Sequence, residues 1–197
     1  MKACWAFSLV ELLVVVALTS VLMTLAAPML NSVVGANNVT QGGQSLAEQI
    51  DAVRQLAEVR GQTAELRFLK KNGDTHYSGM QLFLVASGTA NTTGTAAGKA
   101  VAMPKTVAIL DNSTLSPWFE TMTVTGTMPA GGTWGSASYK AFRVRSSGAV
   151  ELASGTNRTK LYLSISSDRT PSTASSVANF VTIQVNPDTA RPLVYRP

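Results

Sequence analysis

Cysteine, histidine and charge are all scarce in this 197-residue chain. One cysteine (Cys4) and one histidine (His76) cannot build a zinc site of cysteine or mixed cysteine and histidine ligands, and no intramolecular disulfide can form. A serine–histidine–aspartate triad could draw only on His76, and no Gly-x-Ser-x-Gly elbow accompanies it. No catalytic residues, metal, cofactor or small-molecule substrate are therefore expected, and the chain reads as a non-enzyme. Charged residues make up 14% of the chain, where a globular domain has about 25%. The shortage is local: no Asp, Glu, Lys or Arg stands between Glu11 and Glu48, and charges recur at ordinary spacing afterwards. A hydrophobic arm joined to a soluble body of about one domain fits this asymmetry.

The arm begins after a short leader, MKACWA, with one lysine. From Phe7 to Ala27 run twenty-one residues in which Glu11 is the sole charge. At ~1.5 Å per helical residue the run measures ~30 Å, the thickness of a hydrocarbon core. A cleaved secretory signal has a shorter apolar core and a small-x-small site. Here the best small-residue site, Leu25-Ala26-Ala27, is followed by Pro28. A lipoprotein reading of Cys4 fails because no apolar stretch precedes it. A carboxylate in a membrane helix costs about 2.5–3.5 kcal/mol, less near the interface, so Glu11 is expected to serve a partner.

Ala6-Phe7-Ser8-Leu9-Val10-Glu11-Leu12 resembles the class III signal of type IV prepilins and type II secretion pseudopilins, with Ala6 in place of the usual glycine. The resemblance implies cleavage between Ala6 and Phe7 by a membrane prepilin peptidase, methylation of the new amine on Phe7, and an assembly role for Glu11. It also implies a helix kink at Pro28 and partners among other pilin-like subunits. The chain would cross the bacterial inner membrane once, with its C-terminal domain in the periplasm, before joining a filament. Glu11 lies one helical turn from the Phe7 amine. In a low-dielectric bundle an amine on one subunit attracts the carboxylate of the next, which sets axial register.

Beyond the membrane run, residues 28–43 (PMLNSVVGANNVTQGG) hold a proline and three glycines. Each glycine costs a helix ~1 kcal/mol relative to alanine, so this stretch is expected to be bent or partly melted. Ser45 and Glu48 fit a capping box, and Leu46, Ile50, Val53 and Ala57 form an apolar stripe. A helix from about Ser45 to Arg60, stopped by Gly61, follows. From Thr63 strands dominate. Candidates are Ala64–Leu69, Tyr77–Val85, Thr106–Leu110, Trp118–Val124, Tyr139–Arg145, Ala149–Leu152, Lys160–Ser164 and Phe180–Val185. Asn72-Gly73 signals a hairpin and Ser146-Ser147-Gly148 a tight turn. Residues 86–100 and 126–138 read as long loops, with Trp134 as a plug on the sheet.

The expected organisation is a leader (1–6), an assembly helix (7–30), a periplasmic half-helix with a weak centre (31–60) and a β-rich domain (61–197). The fold class is α+β, a long N-terminal helix packed on an antiparallel sheet domain. The body resembles the GspH/FimT group of H-type minor pseudopilins and their pilus counterparts. The resemblance rests on residues 57–68 (AEVRGQTAELRF), 141–148 (AFRVRSSG) and 181–191 (VTIQVNPDTAR), with Ala190 where that group has glycine. A pilin-like family of the Verru_Chthon cassettes is a second resemblance.

Residues 48–120 hold seven basic and seven acidic side chains, while 139–197 hold eight basic and three acidic, so the excess of +5 lies in the last third. Arg143 and Arg145 alternate with Phe142 and Val144 and are expected to face solvent together. The plain reading of this charge is a solvated face. The sharper readings are an acidic partner subunit or DNA, because some pilus relatives take up DNA through a basic C-terminal end. Arg143, Arg145, Arg191 and Arg196 are the candidate contacts. Gly94-Thr95-Ala96-Ala97-Gly98-Lys99 is one residue short of a phosphate loop and lacks the following Ser or Thr. His76 is expected at the surface beside the hairpin turn. The function that these resemblances imply is that of a structural subunit, a minor pilin or pseudopilin. A DNA-binding pilin and an uncut single-pass anchored protein are the alternatives.

Overall fold

The computed structural model describes residues 8–85 and 94–196, with the backbone alone for residues 25–33. Among the described residues the chain has the expected α+β architecture, an N-terminal helix followed by antiparallel sheets that it packs against. Internal contacts divide it into a unit ending at Asn37 and a unit starting at Asn38. That boundary falls inside the first helix, α1 (Leu9–Arg60).

The first unit holds the opening of α1. Ser8 precedes its first turn, and the Ser8 carbonyl accepts the Glu11 N–H (3.0 Å) and the Leu12 N–H (3.2 Å). The large apolar side chains from Leu9 to Met23 are exposed all round, with Leu9 at 80% and Met23 at 75%.

In the second unit α1 turns one stripe inward. Val39, Leu46, Ile50, Val53 and Ala57 are buried, as the periodicity predicts for the last four. A separate helix starting at Ser45 is not what forms: α1 is continuous through the glycine- and asparagine-rich stretch, and Ser45 sits mid-helix rather than at an N-cap. The reason is tertiary. Gly42 and Gly43 belong to the buried stripe. A Cβ on Gly42 would lie 3.0 Å from Met103 and Val107, and one on Gly43 would lie 2.7 Å from Val181. These glycines allow the helix backbone to approach the strands, and packing outweighs their poor propensity. Asn38 Nδ2 donates to the Lys105 carbonyl at 3.4 Å, fastening the same stretch. The predicted stop at Gly61 is a Schellman cap: Gly61 has φ +60°, Gln62 N–H donates to Ala57 O, and Gly61 N–H to Glu58 O.

The described strands are β1 (Thr63–Lys70), β2 (Gly79–Val85), β3 (Thr95–Ala96), β4 (Val101–Ala102), β5 (Val107–Ile109), β6 (Val124–Thr127), β7 (Ser138–Val144), β8 (Val150–Glu151), β9 (Tyr162–Ser167), β10 (Val181–Val185) and β11 (Pro192–Tyr195). One sheet has the order β3-β2-β1-β7-β6, with β4 on β2 and β8 on β7; the other has the order β11-β10-β9-β5. β1 and β2 pair antiparallel from Thr63↔Val85 to Leu69↔Gly79, with Gly73 at φ +93° in the connection. The turn between β7 and β8 closes through Arg145 N–H to Ala149 O and Gly148 at φ +83°.

Trp118–Val124, expected as a strand, instead opens with one helical turn, α2 (Trp118–Thr121). Pro117 fixes φ at −61° and starts the turn. Trp118 and Phe119 are adjacent and both buried, which alternation along a half-covered strand would forbid. Phe119 meets Phe68 edge-on (5.3 Å) and stacks on Tyr77 (4.4 Å), while Trp118 lies 4.5 Å from Phe142. This aromatic cluster fills the centre of the core. Strands β3, β4, β6 and β11 were not expected from the sequence. All are four residues or fewer, too short for a periodic signal.

Candidate functional sites: the N-terminal carboxylate and the basic surface

Ala6 and Phe7, the expected cleavage pair, lie outside the described residues. So does the side chain of Pro28, whose backbone is helical. Glu11 is described. It sits in the first turn of α1, exposed, amid exposed Leu9, Val10, Leu12 and Leu13. The free N–H groups of that turn favour a carboxylate there. Among the described residues no cation stands in ion-pair range of Glu11.

The same stretch hides its own hydroxyls. Thr19 Oγ1 donates to the Val15 and Val16 carbonyls (3.0 Å each), Ser20 Oγ to Val16 O (2.7 Å), and Thr24 Oγ1 to Val21 O (2.7 Å). Hydroxyls returned to the helix backbone present an apolar surface to the surroundings. Among the described residues no helix is long and apolar enough to cross a membrane. Of the run from Phe7 to Ala27, Phe7 and the side chains of residues 25–27 lie outside the description.

The four candidate arginines do not form one patch of free charge. They are divided between two sheets, and the expectation that Arg143 faces solvent beside Arg145 is corrected. Arg143 Nε donates to Glu65 Oε2 at 2.9 Å and its side chain is 12% exposed. Glu65 is fully buried; its other oxygen accepts from Arg67 Nε at 2.5 Å. The Arg67 guanidinium lies between the rings of Phe83 (3.8 Å) and Tyr139 (4.3 Å). Alternation does place Arg143 opposite the helix-facing side, as expected. That second face of the sheet is also covered, so β1 is buried through Ala64–Leu69 on both faces. Burial raises the Tyr139 hydroxyl above its ordinary range, and Arg67 partly offsets this. Neither Glu65 nor Arg67 was singled out from sequence. The signal lay in their alternation with Leu66 and Phe68, which marks a covered second face only once Arg143 is known to be opposite Glu65.

Arg145 is exposed just past β7. Arg191 is exposed in the connection between β10 and β11. Arg196 is exposed after β11 and donates to Thr40 Oγ1 on α1. Arg158, also in the basic third, is ion-paired with Asp188. Ala190 has φ +48°, a conformation that glycine adopts without strain.

His76 is buried rather than at the surface. Its Nδ1 accepts the Asp111 N–H (3.0 Å), so Nε2 carries the proton and donates to the Thr170 carbonyl (2.5 Å). Both ring nitrogens are engaged in holding loops together and neither is directed at a nucleophile. Asp111 also takes Lys70 (2.7 Å) and Lys140 (3.5 Å). The neighbouring Tyr77 hydroxyl is raised well above its ordinary range, by burial first and by the Asp111 charge second. Trp134 does act as a plug: a Cβ on Gly79 would stand 2.4 Å from its ring, and it packs with Leu69, Tyr139 and Ala141. It divides two clefts of about 460 Å³ each, which share Ala102 and Thr133 as well. Among the described residues no group of three or more His, Cys, Asp or Glu side chains could hold a metal ion.

The comparisons with known proteins bear on the N-terminus. The family model for the prokaryotic N-terminal methylation motif matches residues 2–27. The chain thus carries a type IV pilin-like prepilin signal, of the kind that prepilin peptidase processes, and the match contains Ala6, Phe7 and Glu11. No curated protein and no solved structure matches the chain.

Proposed function

We propose that this chain is a non-enzymatic structural subunit, a minor pilin or pseudopilin, of a type IV pilus-like or type II secretion filament. The observation that carries the reading is the methylation motif over residues 2–27, in which the opening of α1 exposes its large apolar side chains all round from Leu9 to Met23 and bears one carboxylate, Glu11. In this reading prepilin peptidase cuts between Ala6 and Phe7, and the new amine is methylated. The helix is held in the bacterial inner membrane with the β-rich domain in the periplasm. Filament entry follows when Glu11 meets the terminal ammonium of a neighbouring subunit. A single ion pair in a low-dielectric bundle is strong enough to select one axial register. Assignment to the H-type GspH/FimT group draws support from the final hairpin, with its left-handed residue at Ala190 before Arg191.

The DNA-binding alternative is less favoured, because one of its four arginines, Arg143, is already committed to Glu65. Mass spectrometry of the mature protein tests the main reading. A chain starting at a methylated Phe7 is expected. A chain still starting at Met1 would favour the uncut anchored protein and remove the filament role.

A further inference from the structure

Outside α1, the large apolar side chains left exposed among the described residues are Leu193, Val194 and Tyr195, at 52%, 50% and 52%. All three lie in β11, which pairs with β10 and is an edge of its sheet. Apolar residues concentrated on an open strand edge are an interaction surface rather than scattered exposure.

The register shows which backbone groups are open. Asn186 N–H donates to Arg191 O at 3.0 Å, which makes 186/191 a hydrogen-bonded pair. Alternation along an antiparallel ladder then turns the main chain of Leu193 and Tyr195 toward Gln184 and Thr182 of β10. The N–H and C=O of Val194 are left aimed outward. Pro192 has no N–H to offer, so Val194 supplies the edge donor within the strand.

Charge selects the occupant. Exposed Arg191 and Arg196 bracket the strand, about 17 Å apart at ~3.4 Å per residue. Asp188, the nearest acid in sequence, is paired with Arg158. A second copy of β11 laid antiparallel would bring four arginines together, which like-charge repulsion opposes. A phosphate backbone would use the arginines and leave the apolar residues in water. We propose that β11 is a docking edge for an extended, acidic-ended β-strand of a different protein, which adds to the sheet through the Val194 main chain and meets Arg191 and Arg196 with carboxylates. This holds whether or not the N-terminus is cut.

The test uses the full chain in dodecyl maltoside and a capped, fluorescein-labelled peptide, Glu-Thr-Val-Thr-Val-Glu, whose glutamates are spaced like the two arginines. Saturable binding at low salt is expected, with protection of the Val194 amide from hydrogen exchange. Replacing both glutamates by lysine should weaken binding about tenfold or more. Val194→Pro should abolish it, since it removes the outward donor without breaking a bond to β10. Should that variant misfold, Val194→Lys, at a half-exposed site, blocks the edge and must give the same loss. No saturable binding, equal binding of the lysine peptide, or binding unchanged in the Val194 variants would overturn the proposal. So would self-association of the wild-type chain that Val194→Lys abolishes, or binding of duplex DNA, without peptide binding, that the Arg191→Ala/Arg196→Ala pair removes.

Discussion

Glu11 and Glu65 are both carboxylates set among apolar residues, and the chain treats them oppositely. Glu65, on β1, is fully buried and answered within its own fold by Arg67 and Arg143. Glu11, in the first turn of α1, is exposed, and among the described residues has no cation in range. A buried charge is tolerated when its partners are preorganised around it. In the proposed reading the partner of Glu11 arrives with the next subunit. The glycines of α1 repeat the contrast. Gly43 is pressed against Val181, while among the described residues a Cβ on Gly35 would meet nothing within 4 Å.

The sharpest test of this contrast is Glu11→Val. Its expected outcome is loss of filament incorporation to background, measured in the sheared filament fraction, with the N-terminus still cut and the melting temperature unchanged. Normal incorporation would place the two carboxylates in the same structural class and end the assembly role. Glu65→Gln should do the reverse. It leaves two arginines against a buried neutral amide and should cost about 3–5 kcal/mol of folding stability, read by urea denaturation of the full chain. A loss below about 1 kcal/mol would mean that water reaches the cluster. Gly43→Ala comes next. Helix propensity gains ~1 kcal/mol, but overpacking against a stiff valine costs about 1–3 kcal/mol, so a net loss in the same denaturation series is expected. Gly35→Ala should give the smallest effect and the opposite sign, a gain of about 0.5–1 kcal/mol. Equal signs for the two alanines would break the distinction between packed and open glycines.

The prepilin-like start, the buried stripe Leu46, Ile50, Val53 and Ala57, the Gly61 cap and the longer strands were legible because each leaves a local signature of motif, period or turn chemistry. The continuity of α1 was not. Gly42 and Gly43 look like helix breakers in one dimension, and only the proximity of Val107 and Val181 shows what they are for. The helical turn at Trp118 leaves no local signature, because two adjacent aromatics suit a strand by propensity. Their simultaneous burial against Phe68, Tyr77 and Phe142 decides otherwise. The neighbours of His76 in sequence imply a surface position, whereas Thr170 and the Asp111 amide, distant in the chain, hold it inside.

By itself the sequence determined where charge is absent, and hence that a bare apolar run with one acid, Glu11, precedes a charged, β-rich body. Composition and periodicity are properties of neighbouring residues, and they survive without a fold. Only the tertiary structure decided which arginines are spent and which remain available. Pairing Arg143 with Glu65 depends on strand register across 78 residues of chain, and electrostatic partnership follows distance in space rather than order along the backbone.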